Sequence, residues 1–172
     1  MRQSASLMVT SVICIVLVQC GCGGSGEKTP GDALVELLHA KLNKGEYDTV
    51  IESSTEALKL SPDHRAPLLT IRGIAWLRKR DYDIAAKDFD EALALAPSST
   101  DLHMYRAETK AGNGRHDDAI EDCNAAIRIK PTNARAFVIR GTSWRQKGQE
   151  EKAEADFKRA FELEPSLFKA VE

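Results

Sequence analysis

Four prolines, at residues 62, 97, 131 and 165, stand 35, 34 and 34 residues apart, and each closes a similar phrase: EALKLSP, EALALAP, AAIRIKP and RAFELEP. This spacing constrains the fold more than any other feature of the sequence. A repeat of about 20–50 residues marks a chain of stacked supersecondary units, each of which buries its apolar face only against its neighbours. With each proline placed at position 32, the repeats run 31–64, 66–99, 100–133 and 134–167, and Arg65 is an extra residue between the first two. The register holds elsewhere too: RGIAW at 72–76 returns as RGTSW at 140–144, and an Asp-Phe pair follows 16 residues after each arginine.

Within a repeat the pattern is helical. Ala85, Phe89, Ala92 and Leu93 keep the i, i+4, i+7, i+8 spacing of one buried helix face. Position 8 is Gly73, Ala107 and Gly141; position 20 is Ala85, Ala119 and Ala153; position 27 is Ala57, Ala92, Ala126 and Ala160. Small residues there let two helix backbones approach, and larger apolar residues at positions 24, 28 and 30 fill the flanks. Gly45, Gly114 and Gly148 at position 15 suit a left-handed helix-ending residue, and proline at 32 ends the second helix. Helices are expected over 32–44, 48–60, 67–79, 83–95, 101–113, 117–129, 135–147 and 151–163.

These letters resemble the tetratricopeptide repeat family over residues 31–167. The resemblance implies an all-α fold, a right-handed α-solenoid of four helix pairs. Repeat one departs from the pattern with Leu38 at position 8, Val50 at position 20 and Lys41 where repeats two and four place Trp76 and Trp144, as an end repeat with one wet face would. Repeat three carries Lys110 and Cys123 in place of aromatics, which predicts the softest inner repeat. Residues 168–172 make an incomplete C-terminal cap, predicting an apolar edge on the last helix pair. Arg72, Arg106 and Arg140 at position 7 are expected to meet Asp88, Asp122 and Asp156 at position 23, in their own or the adjoining repeat.

Ahead of the repeats, Leu7–Val18 is a mostly apolar stretch preceded by Arg2, too short to span a bilayer but suited to a secretory signal peptide. Cysteines at its end and a Gly/Ser spacer resemble a bacterial lipoprotein signal, with residues 1–22 as leader. Gly21 favours acylation of Cys22; Cys20 is the alternative, and a plain signal cut near Gly23 is also compatible. Residues 23–30 read as a flexible tether reaching ~15 Å. The resemblance implies an exported chain, lipid-anchored to a bacterial membrane and facing the periplasm or the cell exterior.

Catalytic chemistry is not expected. The four histidines are scattered, there is no CxxC, and Cys123 sits at a core position, so neither a metal site nor a cofactor is predicted. His116-Asp117-Asp118 falls at an inter-helix turn, and single glycines at turns make no phosphate loop. A net charge of −2 with no basic block excludes nucleic acid as a partner.

What remains is a groove for a protein or peptide. The resemblance places its wall on the first helix of each repeat, at Val35, His39 and Leu42; Thr70, Ile74, Leu77 and Arg78; Met104 and Glu108; Arg135, Val138, Thr142 and Arg145. Val35, Leu42, Ile74, Leu77, Met104 and Val138 make that wall apolar, with arginines beside it. The chaperone-binding carboxylate clamp of the family is absent: of Thr70, Ile74, Tyr105, Arg135 and Ile139 only Arg135 fits, and none of Val35, His39, Ile71, Asp101 and Tyr105 does. The sequence therefore predicts a non-enzymatic envelope scaffold that holds an apolar or amphipathic segment of a partner. The alternative is a structural protein forming a weak homo-oligomer through its uncapped C-terminal edge.

Overall fold

The computed structural model describes residues 29–60 and 62–168. Cys20, Cys22 and the expected leader lie outside these residues, as do 169–172 of the expected cap. The described residues form eight α-helices: α1 (Pro30–Asn43), α2 (Tyr47–Leu60), α3 (Arg65–Arg78), α4 (Tyr82–Leu95), α5 (Thr100–Gly112), α6 (His116–Ile129), α7 (Ala134–Gln146) and α8 (Glu150–Leu163). Short 3₁₀ turns follow α2 at Pro62–His64 and α8 at Pro165–Phe168. Each helix begins one or two residues earlier than the sequence predicts. At α1, α5 and α7 the cause is an N-cap: Thr29, Ser99 and Asn133 accept hydrogen bonds from the backbone N–H of Asp32, Leu102 and Ala136. Asp32 completes a capping box with Thr29, and Pro30 opens α1, so the expected tether does not extend through residue 30.

Consecutive helices pair as antiparallel hairpins, and the second helix of each repeat packs on the first of the next. The first helices also touch one another, α1 with α3, α3 with α5 and α5 with α7, which lays them side by side along one wall. The small residues explain the close hairpins. A Cβ on Gly73 would come within 2.8 Å of the Phe89 ring, and one on Gly141 within 3.0 Å of Phe157. Position 8 is thus the hole for the aromatic at position 24. Repeat one inverts this knob and hole: Leu38 at position 8 faces the register of Ser54 at position 24, and both are buried. The Ser54 hydroxyl is satisfied by donating to the Val50 carbonyl, so the departure is a compensated exchange of volumes.

The turn between paired helices needs a left-handed residue at position 15. Gly45, Gly114 and Gly148 supply it with φ of 78°, 75° and 72°, but repeat two puts Arg80 there at φ 65°. A side chain in that region costs about 1–2 kcal/mol that glycine avoids. Trp76 and Trp144 are half-buried, with Lys79 at 5.7 Å from the first ring and Lys152 at 4.4 Å from the second.

The three arginine–aspartate pairs form within their own repeats. Arg72 grips Asp88 at 2.6 and 2.9 Å, Arg106 grips Asp122 at 2.5 and 2.9 Å, and Arg140 grips Asp156 at 2.6 and 2.8 Å, each through Nη2 and Nε. The aspartates are buried. The remaining Nη1 of each arginine reaches back to position 25 of the preceding repeat: Thr55, Asp90 and Asn124. These charges are scaffold, each tying two repeats together. In repeat three, Lys110 reaches the same carboxylate at 2.7 Å and His103 lies at 3.4 Å. Burial pushes the Asp122 carboxyl up, but the hydrogen bonds from Arg106 and Lys110 more than offset it and hold it below the ordinary range. Lys110 replaces an aromatic contact with an ionic one.

Candidate partner-binding groove

The wall of first helices does not present all the residues expected on it. Ile74, Leu77 and Met104 are buried, at 7, 6 and 4% exposure. Ile74 and Leu77 join Phe89, Leu93 and Leu102 in the largest apolar cluster. The expectation that they face an open groove is therefore corrected: Ile74 and Leu77 are covered by α4 and by Leu102 of α5, and Met104 is buried as well. Val35 and Leu42 are half-buried against the core clusters, and Leu42 touches two of them. Thr70 is half-buried and donates to the Ala66 carbonyl at 2.8 Å. His39 and Thr142 are exposed; His39 Nδ1 lies 3.1 Å from the Val35 carbonyl and Thr142 donates to the Val138 carbonyl at 2.9 Å.

What the wall does present is a charged row beside an apolar hollow. Arg78 on α3 donates to Glu108 Oε1 on α5 at 3.3 Å, and Arg135 on α7 lies 3.8 Å from Glu108 Oε2. The row reads positive, negative, positive across three repeats. Glu108 Oε2 is buried and makes no hydrogen bond, Arg135 facing it only across the 3.8 Å ion pair, so this carboxylate keeps unused acceptor capacity. Next to it, Glu108, Arg135, Val138, Ile139, Leu167 and Phe168 line a hollow of about 300 Å³. Arg145 stands further along, its guanidinium 4.5 Å from the Phe157 ring centroid and 3.5 Å from Glu150. Two arginines share one carboxylate here, so the hollow keeps a positive rim that favours an acidic neighbour of an apolar anchor.

Sequence reasoning found Glu108, Arg135 and Val138 but missed the other lining residues. Ile139 follows Val138 and falls one position off the expected set. Leu167 closes the expected fourth repeat and Phe168 opens the expected cap, yet the 3₁₀ turn at Pro165–Phe168 brings both round to this wall. His116-Asp117-Asp118 opens α6 instead of sitting in a loop, with Asp118 held by Arg115 at 2.7 Å and Asp117 by Lys147. Cys123 is buried and burial pushes its thiol up to about 12, leaving no nucleophile at neutral pH. Among the described residues no group of three His, Cys, Asp or Glu could hold a metal ion, and no helix is long and apolar enough to cross a membrane.

Comparison with known proteins agrees with this architecture. Profiles of the tetratricopeptide repeat match residues 31–64, 72–134 and 134–167. No curated protein matches the sequence. Among solved structures, a MamA crystal structure is similar at TM-score 0.71 and 27% identity, covering 81% of each chain. MamA from Desulfovibrio magneticus RS-1 is similar at TM-score 0.71 and 22% identity, covering 81% of this chain and 78% of that one. The first tetratricopeptide domain of Spaghetti (RPAP3), solved with the HSP90 peptide SRMEEVD, is similar at TM-score 0.59 and 26% identity over 61% of this chain and 83% of that one. Hairpin register, interlocked small and aromatic positions and profile matches lead to one assignment: the chain belongs to the tetratricopeptide repeat family of protein-interaction modules.

Proposed function

We propose that the chain is a non-enzymatic scaffold of the cell envelope that holds an apolar or amphipathic segment of a partner protein against the α5–α7 part of its inner wall. The hollow between α7 and the C-terminal turn carries this reading. It joins an apolar floor (Val138, Ile139, Leu167 and Phe168) to an acceptor on Glu108 and a cation on Arg135. An apolar side chain in the hollow, a donor on Glu108 and a carboxylate beside Arg135 would fix a peptide in one register. The likeness to a domain solved with a bound peptide supports the mode of binding, though not the same peptide: the clamp residues are replaced here, and the partner is chosen by the hollow instead.

Export and acylation complete the reading. The short apolar stretch ending in cysteines, with Cys22 preferred and Cys20 as alternative, would place the solenoid at a membrane surface through its lipid alone. Lipoprotein maturation attaches more than one acyl chain, which stable anchoring requires. Mass spectrometry of the mature N-terminus decides this: a modified Cys22 is expected, and an unmodified chain starting after Gly21 would refute it.

The groove is tested by partner capture from native envelopes after chemical crosslinking. Val138→Glu and Arg135→Glu should each weaken capture at least tenfold, equal to ~1.4 kcal/mol, with helix content and cooperative unfolding retained because Arg135 is exposed and Val138 is half-buried at the hollow. Normal folding with undiminished capture in both variants would show that the groove is idle.

A further inference from the structure

The contacts between successive repeats repeat in register, and the two ends of the series are complementary to each other. Position 14 of each repeat reaches position 18 of the repeat before it: Lys79 to Asp48, Asn113 to Asp83 at 3.0 Å, and Lys147 to Asp117. Among the described residues, two members of this row have no counterpart. They are a cation at its start, Lys44, and an anion at its end, Glu151. Glu151 borders an open recess of about 410 Å³ with Gly148, Gln149, Glu150 and Lys152. Glu154, one turn along the same helix, adds a second carboxylate on that face.

The rows beside it change in step. Positions 3, 7, 10 and 14 of a first helix face the preceding repeat, and at positions 3 and 10 Leu68, Leu102, Ala136, Ala75, Thr109 and Ser143 are buried there. The same face of α1 reads Ala33, Leu37, Ala40 and Lys44; Leu37 is 36% exposed and Ala40 is open. Wherever position 7 is arginine, the residue it meets at position 25 is an acceptor: Thr55, Asp90 or Asn124. Position 7 of repeat one is Leu37, and position 25 of repeat four is Lys158, no acceptor but a long aliphatic stem that suits a leucine. At position 28, Leu58 and Leu93 pack into the apolar clusters that hold Leu68 and Leu102. Phe161 there is 53% exposed, a large side chain opposite the small Ala33 in this register. The Pro165–Phe168 turn touches Phe161 through Phe168, at 5.8 Å between ring centroids, on the groove side, and leaves Glu151, Glu154 and Lys158 in the open.

We propose that the exposed face of α1 docks on the α8 face of a second copy, head to tail, continuing the solenoid with Lys44 of one copy paired to Glu151 of the next. The contact is heterologous, so it adds copies in an open series. It uses neither the hollow nor Arg135, and stands or falls independently of the groove reading.

Sedimentation of the full chain in mild detergent, across a concentration range, tests this. The parent protein should form species larger than a dimer as concentration rises. Lys44→Glu and Glu151→Lys should each weaken association at least tenfold, and the double variant Lys44→Glu/Glu151→Lys should return to within threefold of the parent. Ala40→Arg, an exposed position at the centre of the α1 face, should block association without loss of helix content. A parent chain that stays monomeric or stops at a dimer, or single variants that associate as the parent does, would overturn the proposal. So would a double variant as weak as the singles.

Discussion

Removing Asp122 should be the most damaging single change to the charges of the scaffold. Its carboxylate, buried in repeat three, is shared by Arg106 at 2.5 and 2.9 Å, Lys110 at 2.7 Å and His103 at 3.4 Å. The side chains of Arg106 and Lys110 are only 21 and 15% exposed. Asp122→Ala leaves these two cations facing each other in a half-buried site, and losing one partner of a buried pair costs about 3–5 kcal/mol. Asp90 still holds Arg106 Nη1 at 2.6 Å, which sets the expected cost near the lower bound, about 3 kcal/mol. With a urea dependence of ~2 kcal/mol per M, the unfolding midpoint should fall by ~1.5 M. Asp156→Ala strands only Arg140, which keeps Asn124 at 2.7 Å, and should cost about 1.5 kcal/mol, in the range of one charged hydrogen bond. The diagnostic measurement is a double-mutant cycle. In a Lys110→Met background, where the second cation is gone, Asp122→Ala should cost ~1–2 kcal/mol less than in the parent. A coupling below ~0.3 kcal/mol would refute the shared-carboxylate account.

The depressed Asp122 carboxyl has a pH signature: its contribution is complete above the unfolded aspartate value near ~3.9 and disappears as pH falls through the lower folded value, so Asp122→Asn should flatten acid unfolding measured by circular dichroism. Cys123 has the opposite sign, since a thiol pushed up to about 12 keeps its proton in the fold; stability should fall from about pH 9 upward, and a thiol reagent at pH 8 should label Cys123 only on unfolding. Arg80→Gly relieves the left-handed backbone at position 15 at some entropic cost in the unfolded chain, and thermal melting should show a gain of ~0.5–1 kcal/mol. Met104→Glu, which puts a charge in a site 4% exposed, should lower stability by several kcal/mol and lose partner capture only through unfolding, unlike Val138→Glu.

The sequence carried the scaffold more clearly than the site. The 34-residue register, the small residues at positions 8, 20 and 27, and the glycines at position 15 each follow from backbone geometry, which leaves little choice of residue. Arg80 was invisible because glycine is favoured there but not required. Leu38 read as the departure of an end repeat with one wet face, although with Ser54 it makes a volume exchange that shows only when the two positions are considered together. The groove was harder to read. Apolar residues on a first helix serve equally the seam between neighbouring helices and an open wall, and helical periodicity does not separate those directions; Ile74, Leu77 and Met104 went to the seam. Leu167 and Phe168 reach the hollow through a tertiary turn after α8, and no local pattern announces where such a turn points. Glu108 and Arg135, charged residues on a face otherwise committed to packing, were the legible part of the site.

The central claim is that partners bind on the inner wall over the hollow of α7 and not on the outer helices. Site-specific photocrosslinking tests it most directly, with a photoreactive amino acid placed at Val138 in the hollow or at exposed Arg128 on α6. The account predicts a partner adduct from Val138, lost when Arg135→Glu is added, and none from Arg128. Equal adducts from both positions, or an adduct from Arg128 alone, would contradict it.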